Sequence, residues 1–149
     1  MLVSDNCVAI IKHFEGCKLE PYRCSAGVLT IGYGHTGNVH PSDVITQSEA
    51  EKLLKVDMEK FYHGVKKSVK VDINQSQLDA LVSLAFNIGL GNLRKSSLLE
   101  LLNDGDYLGA ANEFWKWRRG GGVILPGLVR RRAAEADLFI GAPYDRHFK

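Results

Sequence analysis

Residues 13–37 read "HFEGCKLEPYRCSAGVLTIGYGHTG", and this stretch decides how the rest of the chain is read. Just before and into it, Val8, Ile11 and Phe14 recur at helical spacing, with Ser4 or Asp5 to cap the segment and Gly16 to end it. The pattern then changes. Across residues 17–40, β-branched and aromatic residues are broken by glycine, which predicts a small sheet with tight turns. Glu15 closes the helix, and Cys24 and Thr30 fall in the glycine-rich part.

Outward from there the chain reads as helical. In "ITQSEAEKLLKVDMEKFYHGV", Thr46 and Glu49 form a capping box, in which hydroxyl and carboxylate satisfy two orphaned backbone donors. A third helix follows Asn74, with Gln77 at the matching position. Its Leu78, Leu81, Val82, Ala85 and Phe86 make one apolar stripe. The run "LDALVSLAF" is apolar on more than one side, which predicts a buried central helix stopped by Gly89 and Gly91. "SSLLELLNDGD" is a short helix closed at Asn103 to Gly105. "YLGAANEFWKW" places Leu108, Ala111 and Trp115 on one face, and "RRGGGVILPG" reads as a flexible loop. The last helix, "GLVRRRAAEADLF", starts after Pro126. The expected class is α+β, mainly helical, with one small sheet near the N-terminus.

At 149 residues the chain is about one domain, long enough to fold without a metal or disulfide staple. No apolar run approaches the roughly 20 residues of a membrane span, and the N-terminus lacks the features of a signal peptide. The chain therefore reads as made in the cytoplasm. Residues 114–149 hold eight Lys/Arg against three acids, an excess that attracts a polyanion or forms a solvated helix face. No zinc-finger spacing or RNA-binding aromatic motif points to nucleic acid, which leaves bacterial cell wall and anionic lipid. Cys7, Cys17 and Cys24 have no metal-binding spacing and read as free thiols.

Glu15 sits after Phe14 at an apolar helix end. A carboxyl half-buried there would have a raised pKa and could serve as a general acid, although a surface glutamate is the competing reading. Cys24 and Thr30 fold back over that helix end, where thiol and hydroxyl could hold a water facing the carboxyl. That is the layout of a hydrolysis in which an acid protonates the leaving oxygen and a second group activates water. Glycines 27, 32, 34 and 37 allow close backbone approach, and Tyr22 and Tyr33 offer faces on which sugars stack.

Here the sequence resembles the phage-type lysozymes of glycoside hydrolase family 24, the endolysins that cut bacterial cell walls. The first block matches the family pattern of Glu, eight residues, Asp or Cys, five residues, Thr. A second block runs from "ITQSEAEKLLKVD" through "LDALVSLAFNIGLGNLRKSSLLELLN", and a third joins "AANEFWKW" to "PGLVRRRAAEADLF". The resemblance implies one catalytic domain in two lobes, about 13–60 and about 75–149 with the first helix packed on the latter, joined by a long helix. It implies a monomer whose cleft binds peptidoglycan strands, with no cofactor, metal or nucleic acid. Its site would be Glu15 as acid, Cys24 in the Asp-or-Cys position and Thr30 orienting water. Thr36, Phe86, Asn87, Ser97 and Glu113 would line the cleft, with core packing the alternative for Phe86. His35 would pair structurally with Asp57. The enzyme would be made in the host cytoplasm and reach the wall after passage through the inner membrane.

Three rivals stand beside this reading. A cysteine hydrolase would use Cys24 as nucleophile and His35 as base. A lytic transglycosylase would need one acid, the substrate itself closing a 1,6-anhydro ring. A binding module would carry a dead site. The cysteines add a further expectation: pairing of Cys24 with Cys17 or Cys7 would make a redox-sensitive enzyme, against the alternative of three unrelated thiols.

Overall fold

In the computed structural model, which describes residues 2–24 and 26–148, helix α1 spans Asp5–Glu15. Ser4 caps it by accepting the Asn6 amide, and Cys7, Ile10 and Ile11 are its buried face. Ser4 is itself fixed to the buried Asp79 through both its amide and its hydroxyl. Strand β1 (Lys18–Arg23) pairs antiparallel with β2 (Leu29–Gly32), Tyr22 lying opposite Thr30. Ile31 and His35 then exchange two backbone hydrogen bonds of 2.9 Å, so the chain folds back again over Gly32 to Gly34.

Helix α2 (Gln47–Ser68) opens on the Thr46–Glu49 capping box, with both reciprocal bonds formed. Its 22 residues run about 33 Å at 1.5 Å per residue. It packs against β2 near its start and against α3 further along, joining the sheet lobe to the helical lobe. Helix α3 (Gln75–Ile88) opens on the Asn74–Gln77 box, and every residue from Leu78 to Ala85 is buried. Helix α1, α2 and α7 (Pro126–Phe139) all pack on it, which makes α3 the centre of the molecule as its pattern implies. Between α3 and α7 lie α4 (Leu90–Lys95), α5 (Ser97–Asn103), α6 (Tyr107–Ala111) and a 3-10 turn at Phe114–Lys116.

Four details differ from the sequence reading. Gly91 does not stop α3; it lies inside α4, and Gly89 alone makes the break. Leu108 and Trp115 are exposed, at 70% and 53%, whereas Ala110, Ala111 and Phe114 are buried. The chain leaves α-helical geometry after Ala111, so a period of 3.6 carried on from there no longer tells where Trp115 points. The glycine-rich loop is a hairpin of β3 (Arg119–Gly120) and β4 (Val123–Ile124), giving a second small sheet. Gly121 and Gly122 have φ of 58° and 82°, the double positive φ that a type I′ turn requires. The fourth is in α7: Arg131 and Arg132 are buried, only 2% and 1% exposed, so they are not part of a solvated cation cluster.

Candidate active site

Glu15 ends α1 with its side chain 19% exposed. Its surroundings are not simply apolar. The buried Arg131 donates from Nη1 to Glu15 Oε2 at 2.6 Å. On the other side the backbone of Gly34 presses close. Gly34 has φ of +78°, and a β-carbon there would sit 2.8 Å from Glu15 Oε1. The glycine thus makes room for the glutamate, a role different from the substrate approach expected of it. Gly34→Ala should therefore displace the carboxylate and strain the turn, at a cost on the order of 1–3 kcal/mol. The thermal midpoint should fall accordingly, and an unchanged midpoint would show that this contact is not needed.

Arg131 is held as firmly as it holds. Its Nε lies 3.2 Å from Glu135 Oε2 and its Nη2 donates to the Ser83 carbonyl at 3.0 Å. Glu135, fully buried, also faces Arg132 Nε at 2.8 Å and accepts from Ser83 Oγ at 2.5 Å. Arg132 in turn donates to the Trp117 carbonyl at 3.2 Å. Two guanidiniums and two carboxylates make a charge-balanced chain from the centre of the molecule out to Glu15. The sequence reading missed it, taking three consecutive arginines as surface. The signal was present in the i to i+4 and i to i+3 spacing of Arg131 and Arg132 to Glu135, and in Ser83 within the most apolar helix.

Across from Glu15, β1 and β2 bring Cys24, Thr30 and Tyr22 together. The backbone amides of Val28 and Ala26, helped by the Thr30 hydroxyl, hold the Cys24 thiol below its ordinary pKa. Arg23 is not the cause: it turns away and donates to the Gly27 carbonyl at 2.8 Å. Thr30 is buried, its hydroxyl 3.0 Å from the Val28 carbonyl. Tyr22 lines the same groove as Glu15 and Cys24, and burial, then the negative charges of those two groups, push its phenol up.

Glu15, Tyr22, Cys24, Thr30, Thr36, Phe86 and Asn87 line one groove of about 560 Å³, with Lys60 and Phe61 on its α2 side. Phe86 is thus both half-buried, tilted against Phe61 at 5.3 Å, and a wall of the groove. Ser97 and Glu113 are brought together in a separate depression with Trp117, where Glu113 pairs with Lys116 at 2.6 Å. Tyr33 is not a stacking face: it is 8% exposed, and its hydroxyl accepts from Gln47 at 2.9 Å. His35 Nδ1 meets Asp57 at 2.8 Å and Nε2 meets the Gly37 carbonyl at 2.9 Å. Both ring nitrogens are taken, so neither is available as the base of a cysteine hydrolase. The disulfide partners are also out of reach. Strand β1 separates Cys17 from Cys24, which at about 3.3 Å per residue is roughly 20 Å, against a limit of about 7 Å for a disulfide. Cys7 is buried in the core, where burial pushes its thiol up. Among the described residues no cluster of metal-ligating side chains occurs, and no helix is long and apolar enough to cross a membrane.

A helical body with a small sheet lobe, and a carboxylate facing a cysteine and a threonine across the groove between them, define a protein of the lysozyme class. The sequence pattern of the family described as phage lysozyme matches residues 12–135. The chain belongs to that family. It is 49% identical over 143 residues to the endolysin of Bacillus phage B103, covering 94% of this chain and 54% of that protein. It is 44% identical over 146 residues to the endolysin of Acyrthosiphon pisum secondary endosymbiont phage 1, covering 95% and 100%. Among solved structures, the muramidase domain of SpmX from Asticaccaulis excentricus superposes with a TM-score of 0.86 at 34% identity, covering 93% and 97%. The chain spans about half the length of the Bacillus phage relative.

Proposed function

We propose that this chain is a muramidase that hydrolyses the β-1,4 bond between N-acetylmuramic acid and N-acetylglucosamine in bacterial peptidoglycan, acting as an endolysin that lyses the host for phage release. The observation that carries it is Glu15, anchored by Arg131, facing Cys24 and Thr30 across one groove at the spacing the family uses. The whole chain acts as one catalytic domain and as a monomer. It works on the wall, beyond the membrane of the cell that makes it.

Glu15 Oε2 is occupied by Arg131. The other oxygen, Oε1, lies over Gly34 and is the one that hands a proton to the departing glycosidic oxygen. A water sits between Cys24 and Thr30. Its oxygen attacks the anomeric carbon of the muramic residue while its proton passes to the Cys24 thiolate. The glycosidic bond breaks, the new hydroxyl of the glucosamine unit takes the proton from Glu15, and solvent resets both groups. Thr30 presents a lone pair to the water, its one proton going to Val28 or to Cys24. Tyr22 and Phe86 supply apolar faces for the sugar rings, and Thr36 and Asn87 supply hydrogen bonds. Ser97 and Glu113 lie further out and contact the extended strand.

A pH profile and a thiol reagent test the roles together. The thiolate is the working form, so activity should fall as pH drops through the lowered pKa of Cys24. In Cys24→Asp the acid limb should move to lower pH, because a carboxylate keeps its charge to about pH 3.9. Iodoacetamide should inactivate the parent and spare Cys24→Asp. An acid limb that stays in place, or full activity after alkylation of Cys24, would remove the cysteine from the mechanism and favour the single-acid transglycosylase.

A further inference from the structure

Away from the groove, the end of the helical lobe carries a surface of a different kind. Among the described residues, five of the twelve exposed large hydrophobics fall between residues 115 and 129: Trp115, Val123, Ile124, Leu125 and Val129. They are neighbours in space. Val123 and Ile124 form β4 of the hairpin, and Leu125 lies across it against Gly120. The Val129 amide bonds the Leu125 carbonyl one helical turn on, and Val129 lines a shallow depression with Trp115 and Arg118. No residue of the catalytic groove belongs to this surface.

The same surface is cationic. No acid occurs from residue 114 to residue 134. Lys116 is paired with Glu113, and Arg131 and Arg132 are neutralised inside. That leaves Arg118, Arg119 and Arg130, none of which has a carboxylate partner among the described residues. The Arg118 guanidinium lies over the Trp115 ring at 5.0 Å, and Arg119 reaches only the Gly122 carbonyl at 3.3 Å. Burying two of this helix's three arginines while a tryptophan and four aliphatic residues nearby are exposed is the reverse of an ordinary solvated face.

We propose that this surface docks on an anionic phospholipid bilayer. A bilayer interface answers both halves of the pattern. Its headgroups pair with the three guanidiniums, and its acyl boundary accepts the hairpin tip, Leu125, Val129 and the tryptophan ring. Cell-wall polymer answers only one half, since a hydrated glycan offers anions to the arginines but no burial to Val123, Ile124 and Leu125. The inference is independent of the catalytic reading, because no catalytic group takes part.

The test is cosedimentation of the intact protein with vesicles of phosphatidylglycerol, vesicles of phosphatidylcholine and purified peptidoglycan. The parent should bind phosphatidylglycerol, bind phosphatidylcholine far more weakly, and release as salt rises. Replacing Arg118, Arg119 and Arg130 together with Gln should weaken binding about a hundredfold, roughly fivefold for each charge. Trp115→Ser with Ile124→Ser should weaken it at least tenfold with the arginines intact, and the thermal midpoint should stay at the parent's value because both sites are exposed. Tryptophan emission of the unaltered parent should shift to the blue on adding phosphatidylglycerol vesicles, which tests the proposal without any variant. Equal binding to both lipids, no emission shift, no effect of the apolar substitutions, or pelleting only with peptidoglycan would each overturn it.

Discussion

Glu15→Gln will leave a folded protein that does not lyse cell walls. The amide keeps the size of the carboxyl and can still accept from Arg131 through its carbonyl, so the end of α1 should hold its shape. What it cannot do is protonate a departing oxygen. General acid catalysis contributes about 10²–10⁴-fold, and the loss in wall lysis should reach at least that range. Circular dichroism and a thermal midpoint near the parent's would separate lost chemistry from lost fold. Near-parental clearing of stripped cells by the variant would end the glycosidase reading.

Arg131→Leu should be the most damaging single change away from the groove. It leaves Glu135 wholly buried with Arg132 as its one remaining cation, and it removes the only ion-pair partner given to Glu15 among the described residues. Breaking a buried ion pair from one side costs about 3–5 kcal/mol, a large part of the stability of an ordinary domain. Urea unfolding should show a much lower midpoint with little change in slope. Arg130→Leu, at the exposed neighbour, should stay within about 0.5 kcal/mol of the parent. Arg131→Lys should fall between them, since an ammonium keeps the charge but cannot span Glu15, Glu135 and the Ser83 carbonyl at once. Equal stability of the Arg130 and Arg131 variants would show that the buried network holds nothing together.

Much of this molecule was legible because the deciding interactions are local. Ser4, Thr46 and Asn74 cap helices through contacts two or three residues away, and each is visible in the sequence as such. The stripe of α3 announced its burial. The Glu15, Cys24 and Thr30 spacing announced the groove because one short hairpin carries two of the three. What stayed hidden depends on distance. Arg131 meets Glu15 across 116 positions, and nothing in "RRR" alone tells that Arg131 and Arg132 turn inward while Arg130 does not. Trp115, expected on one face with Ala111, points outward and Phe114 inward because a 3-10 turn replaces the helix there. The hairpin at Gly121 and Gly122 was masked by three glycines, which mark a turn and a flexible loop alike.

The most direct test of the account is mass spectrometry of the fragments released from purified peptidoglycan. Hydrolysis by Glu15 with water held at Cys24 and Thr30 must leave reducing N-acetylmuramic acid ends, with one water added for every bond cut. In water enriched with heavy oxygen that label should appear at the new reducing ends. Ends of the 1,6-anhydro form, lighter by one water and unlabelled, would contradict the proposed water-activating pair. Intact glycan strands with cleaved peptides would contradict the glycosidase altogether.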